Sequence, residues 1–265
     1  MKIQHIISTM NREEFSFLEK LCLKTDAVVV NQNCEDAIAE FALSNGVKIK
    51  AVSTPEKGLS RSRNKLIENA TGDILVIGDD DVEYLDGYLD IIKNAYNKYP
   101  DADIIVFRFT HEKGKETRVR YTEDIKVSMQ SISKFSSVEI TFKRESVLKA
   151  GLGFNNNIGL GTAFPSGEEN AFLADALRAG LNIYHVPVTI CVAREDLKIN
   201  ESYGVQKYLV DKGAVFYCIY KKMFPLYALA FVVIKKKSLF KDVSFFKCFS
   251  LMCKGRKKYI KSVKE

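Results

Sequence analysis

The amino-acid sequence predicts an α/β protein, a doubly wound and mostly parallel sheet with helices on both faces, extended at its C-terminus by a basic helical segment. Three observations carry that expectation. Short apolar runs rich in β-branched residues alternate with stretches of helical period over most of the first 110 residues, the rhythm of a parallel sheet. The stretch Thr71 to Val82, TGDILVIGDDDV, places three consecutive carboxylates at the end of an apolar strand. Finally, residues 197 to 265 carry 16 Lys/Arg against 4 Asp/Glu, whereas residues 1 to 196 carry 24 against 29, so the formal charge of +7 belongs to the tail.

Taken in order, Ile3 to Ser8 is an apolar strand that ends in Thr9, Met10, Asn11 and Arg12, polar groups suited to a ligand at a strand terminus. A helix with Phe15, Leu18, Leu21 and Cys22 on one face follows. Ala27 to Val30 is the second strand, ending in Asn31, Gln32 and Asn33. Ala37 to Leu43 reads as a helix closed by Asn45 and Gly46, and Val47 to Val52 as the third strand. After it, Glu56 to Asn64 forms a turn led by Gly58 into a helix bearing Arg61 and Arg63 near its start, where backbone N–H groups and arginines favour an anion.

The fourth strand, Ile74 to Ile77, is bounded by Gly72 and Gly78 and delivers Asp79, Asp80 and Asp81 to its carboxyl end. Ligands of open α/β sheets bind there, and adjacent carboxylates repel unless a hard cation or hydrogen-bond donors hold them, which points to a divalent metal with a phosphate. The alternative is an acidic turn capping a helix from Leu85 to Lys98. A fifth strand spans Ile104 to Phe109, and the polar residues 111 to 137 suit a hairpin or a mobile flap. Ser137 to Phe142 alternates as a strand, and Lys143 to Ala150 is a short helix. Then comes GLGFNNNIGLGTAFPSGEENAFLADALRAG, a glycine-rich loop of a length that compact domains keep for function. It brings Glu168 and Glu169 to the start of an amphipathic helix, either as partners of the helix dipole or with one of them as a general base. Tyr184 to Val192 closes the sheet region, with His185 read as a packing residue.

The composition, 46% hydrophobic and 28% charged, excludes a disordered chain, and six dispersed cysteines without a CxxC pair suggest reduced thiols rather than a disulfide framework or zinc knuckle. Met1 to Ser8 runs directly into a strand rather than a signal peptide, and the longest apolar run, Met223 to Ile234, is short of the roughly 20 residues of a spanning helix. A cytoplasmic protein is expected.

Together these residues resemble the family 2 glycosyltransferases, nucleotide-sugar-dependent enzymes of the GT-A fold. The resemblance covers about residues 1 to 195 and rests on four motifs in order: IISTMNR, KGLSRSRN, GDILVIGDDDV and GEENAFLADALRAG. It implies a GT-A catalytic domain over residues 1 to 196, divided into a nucleotide-sugar half (1 to 110) and an acceptor half (111 to 196). It also implies that Thr9, Asn11, Arg12, Asn31, Gln32, Gly58, Arg63, Asp79 and Asp80 line the donor site, that Asp81 with Asp79 holds Mn²⁺ or Mg²⁺, and that Glu169, with Glu168 beside it, supplies the base. Within the family the motifs look like those of enzymes building bacterial capsular, exopolysaccharide or lipopolysaccharide repeats. The donor implied is a nucleotide sugar, a UDP-sugar first, and the acceptor a saccharide, commonly polyprenyl-linked. Two features depart from the family pattern. Asn31 and Gln32 stand where many members have an Asp pair, and no His follows Pro187, which leaves the third metal ligand open.

Two readings from other classes compete with this one: a non-catalytic saccharide-binding or membrane-surface module on a transferase scaffold, and a nucleotidyltransferase. Retention of Asp79, Asp81 and Glu169 argues against the first, and the absence of glycine from STMNREEF argues against the second. The tail, residues 197 to 265, interleaves aromatic and apolar residues with lysine groups at 221–222, 235–237 and 254–258. This composition suits an anionic membrane surface better than nucleic acid, and it predicts peripheral association with the inner face of the cell membrane.

Overall fold

The computed structural model describes residues 1–111, 121–193 and 204–264. Ten strands form one sheet: β1 (Ile3–Met10), β2 (Ala27–Gln32), β3 (Ala37–Ala42), β4 (Lys48–Thr54), β5 (Ile74–Asp79), β6 (Val82–Tyr84), β7 (Ile104–His111), β8 (Ile125–Lys126), β9 (Ile140–Lys143) and β10 (Ile183–Ala193). The order is β3-β4-β2-β1-β5-β9-β7-β10-β6, with β8 also on β10. The run β4-β2-β1-β5 is parallel, as is β7 with β10, and β9 runs antiparallel between β5 and β7.

Successive residues of the central strands feed opposite layers, as a period of two requires. Ile6, Val28 and Val30 join one core with Leu66, Phe142 and Phe172. Ile7, Val29 and Val76 join the other, with Tyr88, Ile92 and Phe107. Helices α1 (Leu59–Asn69) and α4 (Glu168–Arg178) therefore cover one face and α2 (Tyr88–Lys98) the other. The short α3 (Arg144–Lys149) lies where a helix is expected.

Several elements differ from the sequence expectation. The helix expected over Ala37 to Leu43 is the edge strand β3, antiparallel to β4, with Glu40 opposite Lys50. Its side chains are almost all exposed, so no buried stripe exists to fix a helical period, and pairing with β4 decides the matter. The helix expected around Phe15 to Cys22 is a single 3₁₀ segment, Ser16–Leu21, stopped by Cys22 in the left-handed region at φ 56. The helix expected from Leu85 begins at Tyr88, because Val82 to Tyr84 first pair with β10 as β6. Of the strand expected over Ser137 to Phe142, Ser137–Glu139 is instead a 3₁₀ turn closed by a capping box between Ser136 and Glu139. In the polar stretch 111 to 137, residues 112–120 lie outside the described residues.

The C-terminal region is three helices, α5 (Val205–Tyr220), α6 (Phe224–Leu239) and α7 (Phe245–Ser262). Helix α5 belongs to the sheet core, since Ala214, Val215, Cys218 and Ile219 are buried in the same cluster as Phe172 of α4. It crosses α7 at glycines, where a Cβ on Gly213 or Gly255 would strike the partner backbone at Met252 or Val210. Residues 194–203, at the expected boundary between catalytic domain and tail, are not among those described.

Candidate active site

Two acidic clusters meet at the carboxyl ends of the parallel strands. In the first, Asp79 closes β5 and Asp80 and Asp81 form the turn into β6, all three half-buried. Register places Ser8 of β1 beside Asp79 and Thr9 beside Asn31. The Thr9 hydroxyl donates to Asp80 Oδ2 (2.5 Å), and the Arg12 guanidinium pairs with the same oxygen (2.9 Å) while lying over the Phe17 ring. Asn31 holds Arg12 from both sides: its Oδ1 accepts from the Arg12 backbone N–H (3.2 Å) and its Nδ2 donates to the Arg12 carbonyl (2.8 Å). Asn11, at φ 53, makes the turn that brings Arg12 round. Gln32 reaches across to accept from the Gly58 N–H (2.6 Å), fixing the entry to α1. The Asp81 charge adds, after burial, Glu139 and Asp79, to the effects that push the thiol of Cys191 on β10 well up.

The second cluster is at the start of α4. Its N-cap, Gly167, has φ 87 and lies so close to α5 that a Cβ would come within 2.6 Å of Val215 Cγ1, so only glycine fits there. Glu168 is buried, and Glu169 is half-buried beside it. Desolvation, then the neighbouring Glu168 charge, push the Glu169 carboxyl up to about 8, against a partial pull downward from its own backbone hydrogen bond, Arg63 and Lys212. Lys212 of α5 is likewise half-buried; burial lowers its pKa, while Glu169 and Glu168 oppose that shift.

Arg63 joins the two clusters. Its side chain is 1% exposed, with one terminal nitrogen on Glu168 Oε1 (2.7 Å) and the other on Asp79 Oδ1 (3.2 Å), above the Phe154 ring. Burial would lower its pKa, but the surrounding Asp79, Glu168 and Glu169 raise it, so the guanidinium stays charged. Ser137 adds a hydroxyl to the other oxygen of Asp79 (3.3 Å). The glycine-rich loop closes over the same place: the Leu59 N–H donates to Leu160 O, and the Ser60 hydroxyl to Ile158 O.

The sequence-derived candidates thus fall into three groups. Thr9, Arg12, Asp80 and, through their backbone contacts, Asn11, Asn31, Gln32 and Gly58 form one strand-end lip. Asp79 and Asp81 form its floor, and Glu168 and Glu169 the opposite wall. Arg63 lies beneath both, acting on the site through Asp79 and Glu168. Lys212 and Ser137 were not anticipated: Lys212 sits in a segment whose lysines all read alike, and Ser137 in a stretch read as ordinary strand. His185 packs as expected, buried with Nδ1 at 2.9 Å from the Val106 carbonyl oxygen.

The large, mostly parallel α/β sheet with helices on both faces has the GT-A fold of its structural neighbours. The family model described as "Glycosyl transferase family 2" matches residues 16–159, more than half the chain, and the chain belongs to that family and is a glycosyltransferase. Among solved structures, TarS 1-349 of S. aureus in complex with UDP-GlcNAc aligns with TM-score 0.67 at 14% identity, over 99% of this chain and 82% of that one. TarS 1-349 alone aligns at 0.61 and 12% identity, over 99% and 92%. The mannosyltransferase PcManGT of Pyrobaculum calidifontis, in complex with GDP-Man and Mn²⁺, aligns at 0.55 and 14% identity, over 97% and 86%. At these identities the likeness is one of fold. No curated protein matches the sequence.

Proposed function

We propose that the protein is a metal-dependent, inverting glycosyltransferase that moves a sugar from a nucleotide-sugar donor to a saccharide acceptor in bacterial surface-polysaccharide synthesis. The observation that carries the reading is the Arg63 bridge, which sets a desolvated glutamate pair against the aspartate triplet within one guanidinium's reach of both. The fold neighbours complexed with UDP-GlcNAc and GDP-Man support a nucleotide sugar as donor. The family resemblance supports a polyprenyl-linked acceptor.

The donor set fits a divalent cation of the Mn²⁺ or Mg²⁺ kind. Asp79 and Asp81 offer hard oxygen ligands, with Asp79 also engaged by Arg63 and Ser137, and among the described residues no group of three or more His, Cys, Asp or Glu is placed to hold a metal by itself. Such a donor set suits a cation held by one or two carboxylates and completed by diphosphate oxygens and water. Bound there, the cation would neutralise charge on the departing diphosphate.

The chain's own residues do the rest. Thr9 and Arg12 orient Asp80 at the donor lip, and Arg12 offers cationic charge to an anionic donor. Glu169 takes the proton of the acceptor hydroxyl as that oxygen bonds to the anomeric carbon and the bond to the diphosphate breaks, which inverts the centre. A carboxylate raised to about 8 is a strong base once ionised, and the charges of Arg63 and Lys212 favour that ionised form. Glu168, held by Arg63, keeps α4 in register with Asp79. Calorimetry of UDP binding with and without Mn²⁺ tests the assignment. Asp81→Ala should abolish the metal-dependent part of binding, and metal-dependent affinity that survives in this variant would remove Asp81 from the site.

A further inference from the structure

The outer face of α6 is apolar, exposed and flanked by lysines, and we propose that it is the surface by which the protein adsorbs to an anionic lipid bilayer. Helix α6 buries one stripe, Phe224, Ala228 and Val232, against α5 and α7. The opposite face presents Leu226, Leu229, Val233 and Ile234, exposed by 57, 41, 59 and 70%. Solvated helices normally place charge there, and a contiguous apolar face on a protein surface marks an interaction site. Phe246, just beyond the helix at the start of α7, is 83% exposed.

Charge at both ends selects the partner. Exposed Lys222 precedes α6, Lys237 lies in its last turn and Lys241 follows it; none of the three side chains makes an ion pair among the described residues. Acidic side chains are absent from the sequence between Asp211 and Asp242. An apolar strip bordered by cations matches the acyl boundary and headgroups of an anionic leaflet, which attracts each nearby lysine.

The same geometry says that this surface lies on the bilayer rather than crossing it. Residues 205–239 are helical in succession, and an 18-residue window within them has a mean hydropathy of 1.4, long and apolar enough by composition to permit a span. Yet Lys221, at φ 46, breaks the run, and its first half, α5, is buried in the sheet core. Helix α6 alone, with 16 residues, is about 24 Å long, short of the roughly 30 Å hydrocarbon core. The structure also refines the lysines involved. Lys236 is engaged in capping α6, donating to the carbonyls of Phe240 and Lys241, and Lys254 and Lys258 line a cleft of about 420 Å³ between α5 and α7.

The purpose of this face, bringing the site to a lipid-carried acceptor, rests on the transferase reading; the adsorption itself does not. The test is co-sedimentation of the full chain with vesicles of phosphatidylcholine alone and of phosphatidylcholine with 30% phosphatidylglycerol, about the anionic content that makes lysine attraction measurable. Binding should favour the anionic vesicles and fall with salt. Lys222→Gln, Lys237→Gln and Lys241→Gln together should weaken it roughly 100-fold. Val233→Asp with Ile234→Asp, on an outer face exposed among the described residues, should abolish it with circular dichroism unchanged. Equal partition onto both vesicles, no partition, unchanged binding of either variant, or a dimer in solution that hides this face would each overturn the proposal. UDP binding, measured in parallel, separates failure of adsorption from failure of the transferase assignment.

Discussion

The lip at Thr9, Arg12 and Asp80 and the wall at Arg63, Glu168 and Glu169 are both acidic sites answered by arginine, but they are built for opposite ends. At the lip the ion pair is open: the Arg12 and Asp80 side chains are 43 and 30% exposed, so water screens the pair and a ligand can replace either partner at small cost. At the wall Arg63 is 1% exposed and Glu168 7%, and a charge there has no solvent to fall back on. The difference teaches where each cluster's chemistry resides. In the proposed function the lip, able to exchange partners, is where a nucleotide would be admitted and released, while the wall, held fixed, would set the protonation of Glu169.

The sharpest way to break that comparison is at Glu169. Glu169→Gln keeps the shape of the wall and removes the proposed base, so turnover should fall by roughly 10²-fold or more while nucleotide binding at the lip stays intact. Glu168→Gln should cost less in turnover, because Glu168 acts through Arg63 rather than on the acceptor. Steady-state kinetics with calorimetry on both variants decides it; if Glu168→Gln is the more damaging, the base has been assigned to the wrong glutamate.

Arg63→Met comes next. It strands Glu168 in the core without its cation and removes one partner of Asp79, which should cost about 3 kcal/mol or more in chemical denaturation. The open pair at the lip gives the contrast: Arg12→Met should change stability by no more than about 1 kcal/mol. Comparable losses for the two variants would mean that burial does not separate the clusters.

The sequence made the lip and the Asp triplet legible because both sit at the ends of strands whose apolar runs are unmistakable, Ile3 to Ser8 and Ile74 to Ile77. The helix of Glu168 and Glu169 was legible from its periodic face. What stayed hidden depends on contacts far along the chain. Edge strand β3 has no buried pattern of its own and takes its form from β4. Arg63 reads locally as a first-turn arginine offered to an anionic ligand, and only the packing of α4 across it, 105 residues later, turns it inward onto Glu168. Helix α5 looks like part of a basic appendage, yet five of its residues, Ala214, Val215, Cys218, Ile219 and Tyr220, complete the sheet core, and that packing is what carries Lys212 to the glutamates.

Lys212 therefore offers the finest test of the wall. The carboxyl of Glu169 stands near 8 against an ordinary 4.5, raised by desolvation and by Glu168, with Arg63 and Lys212 restraining the rise. A carboxyl raised in the folded state favours folding below its unfolded value and loses that advantage as pH climbs through the folded value. Stability should thus decline between about pH 4.5 and about pH 8 through this group, and Glu169→Gln should flatten the decline. In catalysis the base must be ionised, so kcat/KM of the free enzyme should rise with pH toward about 8. Lys212→Met removes one of the two cations that favour the ionised form and shifts the profile to higher pH. The effect at a fixed neutral pH should be only several-fold and should vanish in alkaline buffer, where Glu169 is ionised in both proteins, whereas Lys212→Arg should restore the original profile. A loss of activity uniform across pH would instead make Lys212 a packing residue of α5, and the wall would then set its base with Arg63 alone.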